Sequence, residues 1–187
     1  MSSRLGRVLS VGAIVSVTLA SALFGAKSSR TKGRIWYRLL RKSKANPPDG
    51  AFGPVWSILY GLSATSASRI ALSESSRERT SALAIWAVQQ LLNAIWSPLF
   101  FGKQKPRSAL ADVLGLGATL VALIRATKKV DRTASNLLVP YLVWVAFASY
   151  LNYAIVKKNP KWLLSNGKAA KHFTRALHNA ITPLLHA

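Results

Sequence analysis

Aromatic and amide side chains recur at helical spacing in three long apolar stretches of this sequence. The set comprises Phe52, Val55, Trp56 and Tyr60 in the first stretch, Gln89, Asn93 and Trp96 in the second, and Trp144, Phe147, Ala148 and Leu151 in the third. Such spacing places the members of each group on one face of a helix. If the three faces converge, they form an aromatic cavity that suits a large, flat, mostly apolar ligand. Helix packing without a ligand explains the same periodicity equally well.

The two amides in the second stretch need hydrogen-bond partners. Gln89 and Asn93 lie near the middle of an uncharged segment. Transfer of an amide into an apolar environment without a partner costs roughly 2–7 kcal/mol, depending on the reference state. We therefore expect Gln89 and Asn93 to pair with another helix, with water or with a ligand.

The sequence gives little indication of a catalytic or metal-binding site. The chain has no Cys, and its His residues all lie after residue 171, so we expect no metal site and assign no catalytic residue. Asp112 is the one acid within an apolar stretch and therefore a functional candidate; we expect it to pair with Lys105 or Arg107, a proton relay being the alternative. Glu74 and Glu78 lie in a short polar loop and are expected to be solvated.

Charged and apolar residues are segregated along the chain. The net charge is +21 over 187 residues, yet 50% of the residues are hydrophobic. Five stretches are long enough to cross a bilayer, for which about 20 apolar residues are needed. They are residues 8–26, 51–73, 80–102, 108–124 and 133–156. This pattern predicts an all-α integral membrane protein with a bundle of five transmembrane helices, the alternative being a soluble all-α core.

The distribution of Lys and Arg predicts the orientation of the bundle. If the spans alternate in direction, the first loop, the loop after the third span and the C-terminal tail share the side with most cations. The positive-inside rule places that side, and the C-terminus, in the cytosol. Because the cations occupy both sides, no single basic face forms, and nucleic-acid binding is not expected.

The two ends of the chain allow further interpretations. Arg4, Arg7 and the segment Ala20-Ser21-Ala22 also fit a cleavable signal peptide, although the apolar run is longer than is usual for one. We divide the chain into a membrane domain, residues 1–159, and a basic tail, residues 160–187. Residues 168–181 have the pattern of an amphipathic helix on an anionic membrane surface, and a solvated tail is the alternative.

Several segments resemble the signatures of the TspO/MBR family, which comprises the tryptophan-rich sensory proteins and the translocator proteins, also called peripheral-type benzodiazepine receptors. The matching segments are AFGPVWSILY at residues 51–60, QQLLNAIWSPLFFG at 89–102 and PYLVW at 140–144, with Trp36-Tyr37 and Pro47-Pro48 in the first loop. Their order and spacing agree across roughly residues 8–159. The resemblance implies a five-helix membrane bundle that is often a homodimer and has a cytosolic C-terminus.

The resemblance also implies ligands and site residues. The ligands are porphyrins, heme and sterols such as cholesterol, and no cofactor is required. Carried onto this chain, the ligand pocket has Trp36 and Tyr37 in its lid and uses the residues of the three groups given above except Tyr60 and Gln89, which we add to the site on their spacing alone. Leu151, Tyr153 and Lys157 fit the family's cholesterol-recognition pattern. The membrane would be the mitochondrial outer membrane in a eukaryote, or a cell envelope membrane in a bacterium.

Three functions are compatible with these observations. The first is a membrane receptor or transporter-like protein that binds tetrapyrroles and sterols. The second is a light- or oxygen-dependent enzyme that degrades porphyrin, in which Trp56 and Trp144 would be redox-active, as the resemblance to some bacterial members implies. The third is a membrane scaffold that acts through its basic tail.

Overall fold

The computed structural model describes residues 4–28 and 32–160, and every regular element among them is helical. Two short turns interrupt the α-helices, a 3-10 turn at Asp49–Ala51 and a π-helical turn at Pro98–Gly102. The α-helices are α1 (Arg4–Ser28), α2 (Lys32–Leu39), α3 (Phe52–Leu72), α4 (Arg77–Ser97), α5 (Pro106–Lys128), α6 (Arg132–Leu137) and α7 (Val139–Lys158). The expected all-α class is therefore confirmed for the described residues. The expected tail helix at residues 168–181 lies outside them.

Four helical segments are long and apolar enough to cross a membrane. They are Gly6–Lys27, Arg77–Gly102, Pro106–Lys128 and Arg132–Lys158. The expected count of five is not reached on these criteria, because α3 is 21 residues long but contains Arg69 and several hydroxyl side chains. The structure thus supports a multi-pass membrane protein with four spans defined by length and composition.

Local chemistry sets several of the helix boundaries. The Ser76 hydroxyl accepts a hydrogen bond from the Arg79 N–H and caps the start of α4. The Asp131 carboxylate caps α6 in the same way by accepting from the Ala134 N–H. Proline occupies the first turn of α5 and of α7, where its missing N–H costs no helical hydrogen bond.

The helices pack around α5, which contacts α4, α6 and α7. On the other side of the bundle, α1 packs against both α3 and α4. The largest core cluster includes Leu116, Leu120 and Leu123 of α5 together with Tyr141 and Val145 of α7. This core holds the helices that carry the candidate site at fixed distances from one another.

Apolar side chains also cover the outside of the bundle. On α1, Ile14 and Thr18 face inward, whereas Leu9, Leu19 and Leu23 are exposed. Exposed Val88 and Leu91 on α4, and Leu114 on α5, extend the apolar exterior. An exterior of this kind fits lipid as its solvent.

Polar residues of the connecting segments lie at the two ends of the bundle. One end contains α2 and the α4–α5 connection, and the other contains the α3–α4 connection and α6. At this second end Arg69 forms an ion pair with Asp131, with 2.9 Å between Nη2 and Oδ2. Glu74 and Glu78 are exposed there, as expected.

Candidate functional site

Aromatic rings bring together the predicted faces of α3 and α7. The rings of Phe52 and Trp144 meet edge to face with 6.0 Å between their centroids. One helical turn further along α3, Trp56 contacts Tyr141 at 6.0 Å in the same geometry. Trp144 also contacts Phe147 at 5.6 Å. Edge-to-face contacts at these distances are favourable between aromatic rings, so the two faces stabilise each other.

The amides of α4 lie against the same aromatic faces. The Gln89 side chain is fully buried, and its Nε2 donates to the Tyr141 hydroxyl at 2.8 Å. Asn93, one turn further along, is 6% exposed, and its side chain lies near that of Tyr60 on α3. Gln89 therefore pairs with α7, which confirms the expectation for this amide, whereas the expected partner of the Asn93 N–H is not found among the described residues.

Two N–H groups of the site have no hydrogen-bond partner among the described residues. They are Nδ2 of Asn93 and Nε1 of Trp144, and both atoms are shielded from solvent. The acceptor Oε1 of Gln89 is likewise buried and has no hydrogen-bond partner among the described residues. Unpaired buried donors are costly, so the two N–H groups are suited to bind an oxygen of a molecule that enters between α3, α4 and α7, whereas Gln89 Oε1 is suited to accept from a donor.

The remaining residues predicted for this site are wholly or partly buried in the bundle. Val55 is half-buried and packs against the main core cluster. Ala148 is half-buried, and Leu151 is 6% exposed. We call the group formed by Phe52, Val55, Trp56, Tyr60, Gln89, Asn93, Tyr141, Trp144, Phe147, Ala148 and Leu151 the aromatic site.

Trp96 connects the aromatic site to a second cluster of rings. Its ring packs against the core that borders the aromatic site, and it also stacks on Phe100 with 4.9 Å between centroids. The Nε1 of Trp96 donates to Asn152 Oδ1 at 3.3 Å, and Asn152 in turn donates to the carbonyl of Pro106. Trp96 is thus fixed by α7 and by the start of α5.

Trp36 and Tyr37, the two residues expected in the lid, belong to this second cluster. Trp36 is 3% exposed and contacts Phe100 at 5.4 Å, while Tyr37 contacts Phe101 at 5.6 Å. The structure places them against the π-helical turn. They cover the end of α4 beside Trp96.

The hydroxyl of Tyr37 is a hydrogen-bond donor in this arrangement. It donates to Oδ1 of Asn46 at 3.0 Å. Burial raises the pKa of this hydroxyl above its usual value. Lys42 Nζ lies 3.9 Å from the centroid of the Tyr37 ring, a cation–π distance.

The three residues of the sterol pattern do not share one environment. Tyr153 is 52% exposed, and Lys157 follows it by one turn on the outside of α7. Leu151 lies two residues before Tyr153 and points into the bundle, where it is buried. Tyr153 and Lys157 therefore face the bundle's surroundings, and Leu151 belongs to the aromatic site.

Three ring-bearing residues of these clusters were absent from the predicted site. Tyr141 is 1% exposed and contacts both Gln89 and Trp56, and its position three residues before Trp144 could have identified it. Phe100 and Phe101 occupy the π-helical turn after Pro98. A regular helical projection does not apply across such a turn, so periodicity places these two rings incorrectly.

Asp112 does not form the expected ion pair. Among the residues that the structure describes, the salt bridge found is that between Arg69 and Asp131. Oδ2 of Asp112 is buried and has no hydrogen-bond partner there, although Lys105 and Arg107 lie on the same helix or just before it. Both side chains are exposed and neither pairs with Asp112, so the prediction of a Lys105 or Arg107 partner is wrong.

A separate apolar groove lies between α4 and α5. Its volume is about 430 Å³, and its lining residues are Ala84, Ile85, Val88, Ala118, Thr119 and Ala122. None of them belongs to the aromatic site. The groove opens on the outside of the bundle, so it is a feature of the lipid-facing surface.

Comparison with known proteins identifies relatives over most of the chain. The sequence profile of the TspO/MBR family matches residues 13–157. The tryptophan-rich protein TspO of Chlorobaculum tepidum is 36% identical over 82% of this chain and 98% of its own length. The translocator protein of Sus scrofa is 37% identical over 78% of this chain and 89% of its own. The protein CrtK of Rhodobacter capsulatus is 32% identical over 76% of this chain and 89% of its own length.

Proposed function

This chain belongs to the TspO/MBR family, and from that membership we propose that it binds tetrapyrroles and sterols within the membrane, as a receptor or a transporter-like protein. The proposed site for a porphyrin or heme is the aromatic site between α3, α4 and α7. Its rings supply stacking surfaces for a flat macrocycle. Sterol binding is proposed at the outside of α7, beside Tyr153 and Lys157.

One observation carries this proposal, the pair of unpartnered N–H groups of Asn93 and Trp144. A porphyrin has carboxylate oxygens that accept hydrogen bonds, and bonds to charged acceptors are stronger than neutral ones. Phe52 and Phe147 both contact the Trp144 ring. A ligand that accepts a hydrogen bond from Trp144 Nε1 would therefore also lie next to aromatic rings. Binding would replace ring–ring contacts by ring–ligand contacts of similar kind.

The proposed bundle has five spanning helices. We include α3 because its 21 residues extend about as far as the other spans and because it packs against α1, α4 and α6. Five spans and the excess of cations at the end that contains α2 support a cytosolic C-terminus. Accessibility of a C-terminal tag to protease in sealed vesicles tests this orientation.

A homodimer is part of the proposal. Ala84, Ala87 and Ala94 lie on the outside of α4 or at its edge, and small residues allow close approach of helices in lipid. Cross-linking through single cysteines introduced at Ala87 and, as a control, at Leu19 of α1 distinguishes this face from others. Efficient cross-linking at position 19 alone would argue against a dimer through α4.

The central experiment titrates the purified full-length chain with protoporphyrin IX and follows porphyrin absorbance. The test variant combines Asn93→Leu with Trp144→Phe, which removes both N–H donors and keeps most of the apolar volume. We expect affinity to fall about tenfold or more, since each hydrogen bond to a charged group contributes about 1.5–3 kcal/mol.

The matched control for this experiment is Trp86→Phe. Trp86 is 5% exposed and belongs to the core cluster that borders the aromatic site, but its Nε1 already donates to the Ser63 hydroxyl at 3.1 Å and is not free for a ligand. We expect this variant to bind porphyrin with unchanged affinity. Equal affinities for all three proteins would refute the proposed site.

A further inference from the structure

Three basic segments meet at the end of the bundle that contains α2. They are the end of α2 with the residues that follow it, the α4–α5 connection, and the last turn of α7. Together they form what we call the basic collar, which comprises Arg38, Arg41, Lys42, Lys44, Lys103, Lys105, Arg107, Lys157 and Lys158. Among the described residues, the connecting segments at this end contain one acidic residue, Asp49. Asp112 lies within helix α5.

Hydrogen bonds hold the first and third segments side by side. The Asn159 side chain accepts from the backbone N–H of Arg41 at 2.8 Å and donates to the carbonyl of the same residue at 2.9 Å. Next to this clamp, Lys158 Nζ donates to the Lys42 carbonyl at 3.3 Å. The cations after α2 therefore have a fixed position beside the cations that end α7.

Close packing holds α2 against the segment that leads to the α4–α5 connection. Trp36 contacts Phe100, as described above, and Gly33 lies so near Phe101 that a Cβ on Gly33 would be 2.8 Å from the Phe101 Cβ. Lys103 directly follows this π-helical turn. All three segments are thus fixed to one another, and the collar forms a continuous surface with a defined geometry around the ends of α4, α5 and α7.

The collar cations have no acidic partners in the described part of the chain. The ion pair found there is Arg69 with Asp131, at the opposite end. Arg38, Lys103 and Lys157, one from each segment, are all exposed. The opposite end differs because Glu74, Glu78 and Asp131 are interspersed with its cations.

An exposed apolar pair lies within the collar. On α2, Ile35 is 61% exposed and Leu39 is 49% exposed, and they are one helical turn apart with Arg38 between them. A short helix with exposed apolar and basic residues is typical of a helix that lies in the interface of a bilayer. Its position at the ends of the spans puts it at the depth of lipid headgroups.

We propose that the basic collar binds the headgroups of anionic phospholipids in the leaflet at this end of the bundle. The cations contact the phosphates, and Ile35 and Leu39 contact the upper acyl chains. Charge complementarity supports lipid as the occupant, since anionic leaflets attract Lys and Arg next to a span. The collar surrounds helix ends at the bilayer surface, where headgroups are its nearest neighbours. This inference requires the membrane location and is independent of tetrapyrrole binding.

The experiment measures lipid selectivity of the full-length chain in phosphatidylcholine bilayers. Spin-labelled phosphatidylglycerol and phosphatidylcholine report the motionally restricted fraction of each lipid. The test variant is R38Q/K103Q/K157Q. Its control, R125Q/K128Q/K129Q, removes three exposed cations from the opposite end. We expect the phosphatidylglycerol selectivity to fall about threefold in the test variant and much less in the control.

A second measurement needs no variant. For the wild-type chain, the selectivity should decrease as salt is raised to about 1 M, because the screening length then falls to about 3 Å. Salt-independent selectivity, or an equal loss in both triple variants, would overturn the proposal. The proposal is also overturned if the test variant keeps its lipid selectivity and instead loses a dimer, which would assign the collar to a second copy of the chain.

Discussion

The amide of Gln89 on α4 donates to the hydroxyl of Tyr141 on α7, with 2.8 Å between Nε2 and the oxygen, in the interior of the bundle. This bond fixes the relative position of the two helices at the aromatic site. The Tyr141 hydroxyl is the hydrogen-bond partner of the Gln89 Nε2. The Oε1 atom of the same side chain has no partner among the described residues.

Tyr141→Phe removes that bond and leaves the whole Gln89 amide unpaired. We expect the free energy of unfolding to fall by about 1–3 kcal/mol, the cost of a buried unsatisfied polar group. Thermal unfolding in detergent measures it. Tyr153→Phe on the exposed side of the same helix is the control and should change little. Gln89→Leu added to Tyr141→Phe should recover part of the loss, and strictly additive effects would contradict the pairing.

Gly33→Ala should disturb the contact between α2 and the π-helical turn. The new Cβ would lie 2.8 Å from the Phe101 Cβ, so α2 or Phe101 must move. We expect a loss of about 1–3 kcal/mol, as is usual for overpacking, together with faster proteolysis near residue 40. Gly61→Ala in α3 is the control, since nothing lies within 4 Å of its added Cβ, and there helix propensity predicts a small gain. Equal stability of the two variants would contradict the close approach at Gly33.

Asp131 should make the stability of the protein depend on acidic pH. The hydrogen bond from the Ala134 N–H, followed by the Arg69 guanidinium, lowers the pKa of Asp131 below its ordinary value of 3.8. A lowered pKa means that the stabilisation is present above pH 3.8 and is lost as the pH falls through the folded-state pKa. Unfolding midpoints measured from neutral pH down to about pH 3 reveal this loss.

Two substitutions separate the roles of Asp131. Asp131→Asn keeps an oxygen for the cap and loses the ion pair, so at neutral pH it should cost less than about 1 kcal/mol. Asp131→Ala loses both and should cost about 0.5–2 kcal/mol. Both variants should show a weaker acid dependence than the wild type. An unchanged acid dependence would show that other carboxylates cause it.

Asp112→Leu should leave the bundle at least as stable as the wild type. Oδ2 of Asp112 is buried without a partner in the described structure, and an apolar side chain of similar size removes that unpaired atom. The unfolding midpoint in detergent is the measurement, with Asp112→Asn as the isosteric comparison. A clear drop in stability for the Leu variant would indicate a partner such as Lys105 or Arg107.

The sequence pattern located the long helices well and their interruptions poorly. Residues 80–102 correspond to Arg77–Gly102, but the stretch at 108–124 is shorter than Pro106–Lys128, because a helix can continue past the apolar core into charged residues. The stretch at 133–156 is divided between α6 and α7 next to Pro140. Helix α2 lay in an expected loop, since its eight residues depend on packing against Phe100 and Phe101.

The sequence predicted which residues of the candidate site share a helix face, but not which residues they contact on other helices. Helical periodicity placed Trp56, Asn93 and Trp144 on their faces, which is a local property. Which residue on another helix each one meets depends on the rotation and depth of the helices, and these do not appear in the spacing. The bond between Gln89 and Tyr141 and the second ring cluster at Trp36 therefore required the structure.

The clamp between Asn159 and Arg41 has a consequence for the order of events during synthesis. Its two partners are separated by 118 residues, so the bond cannot form until the ribosome has passed the last turn of α7. Until then the segment after α2 lacks this anchor. Completion of the last span is thus the step that fixes the first loop of the protein.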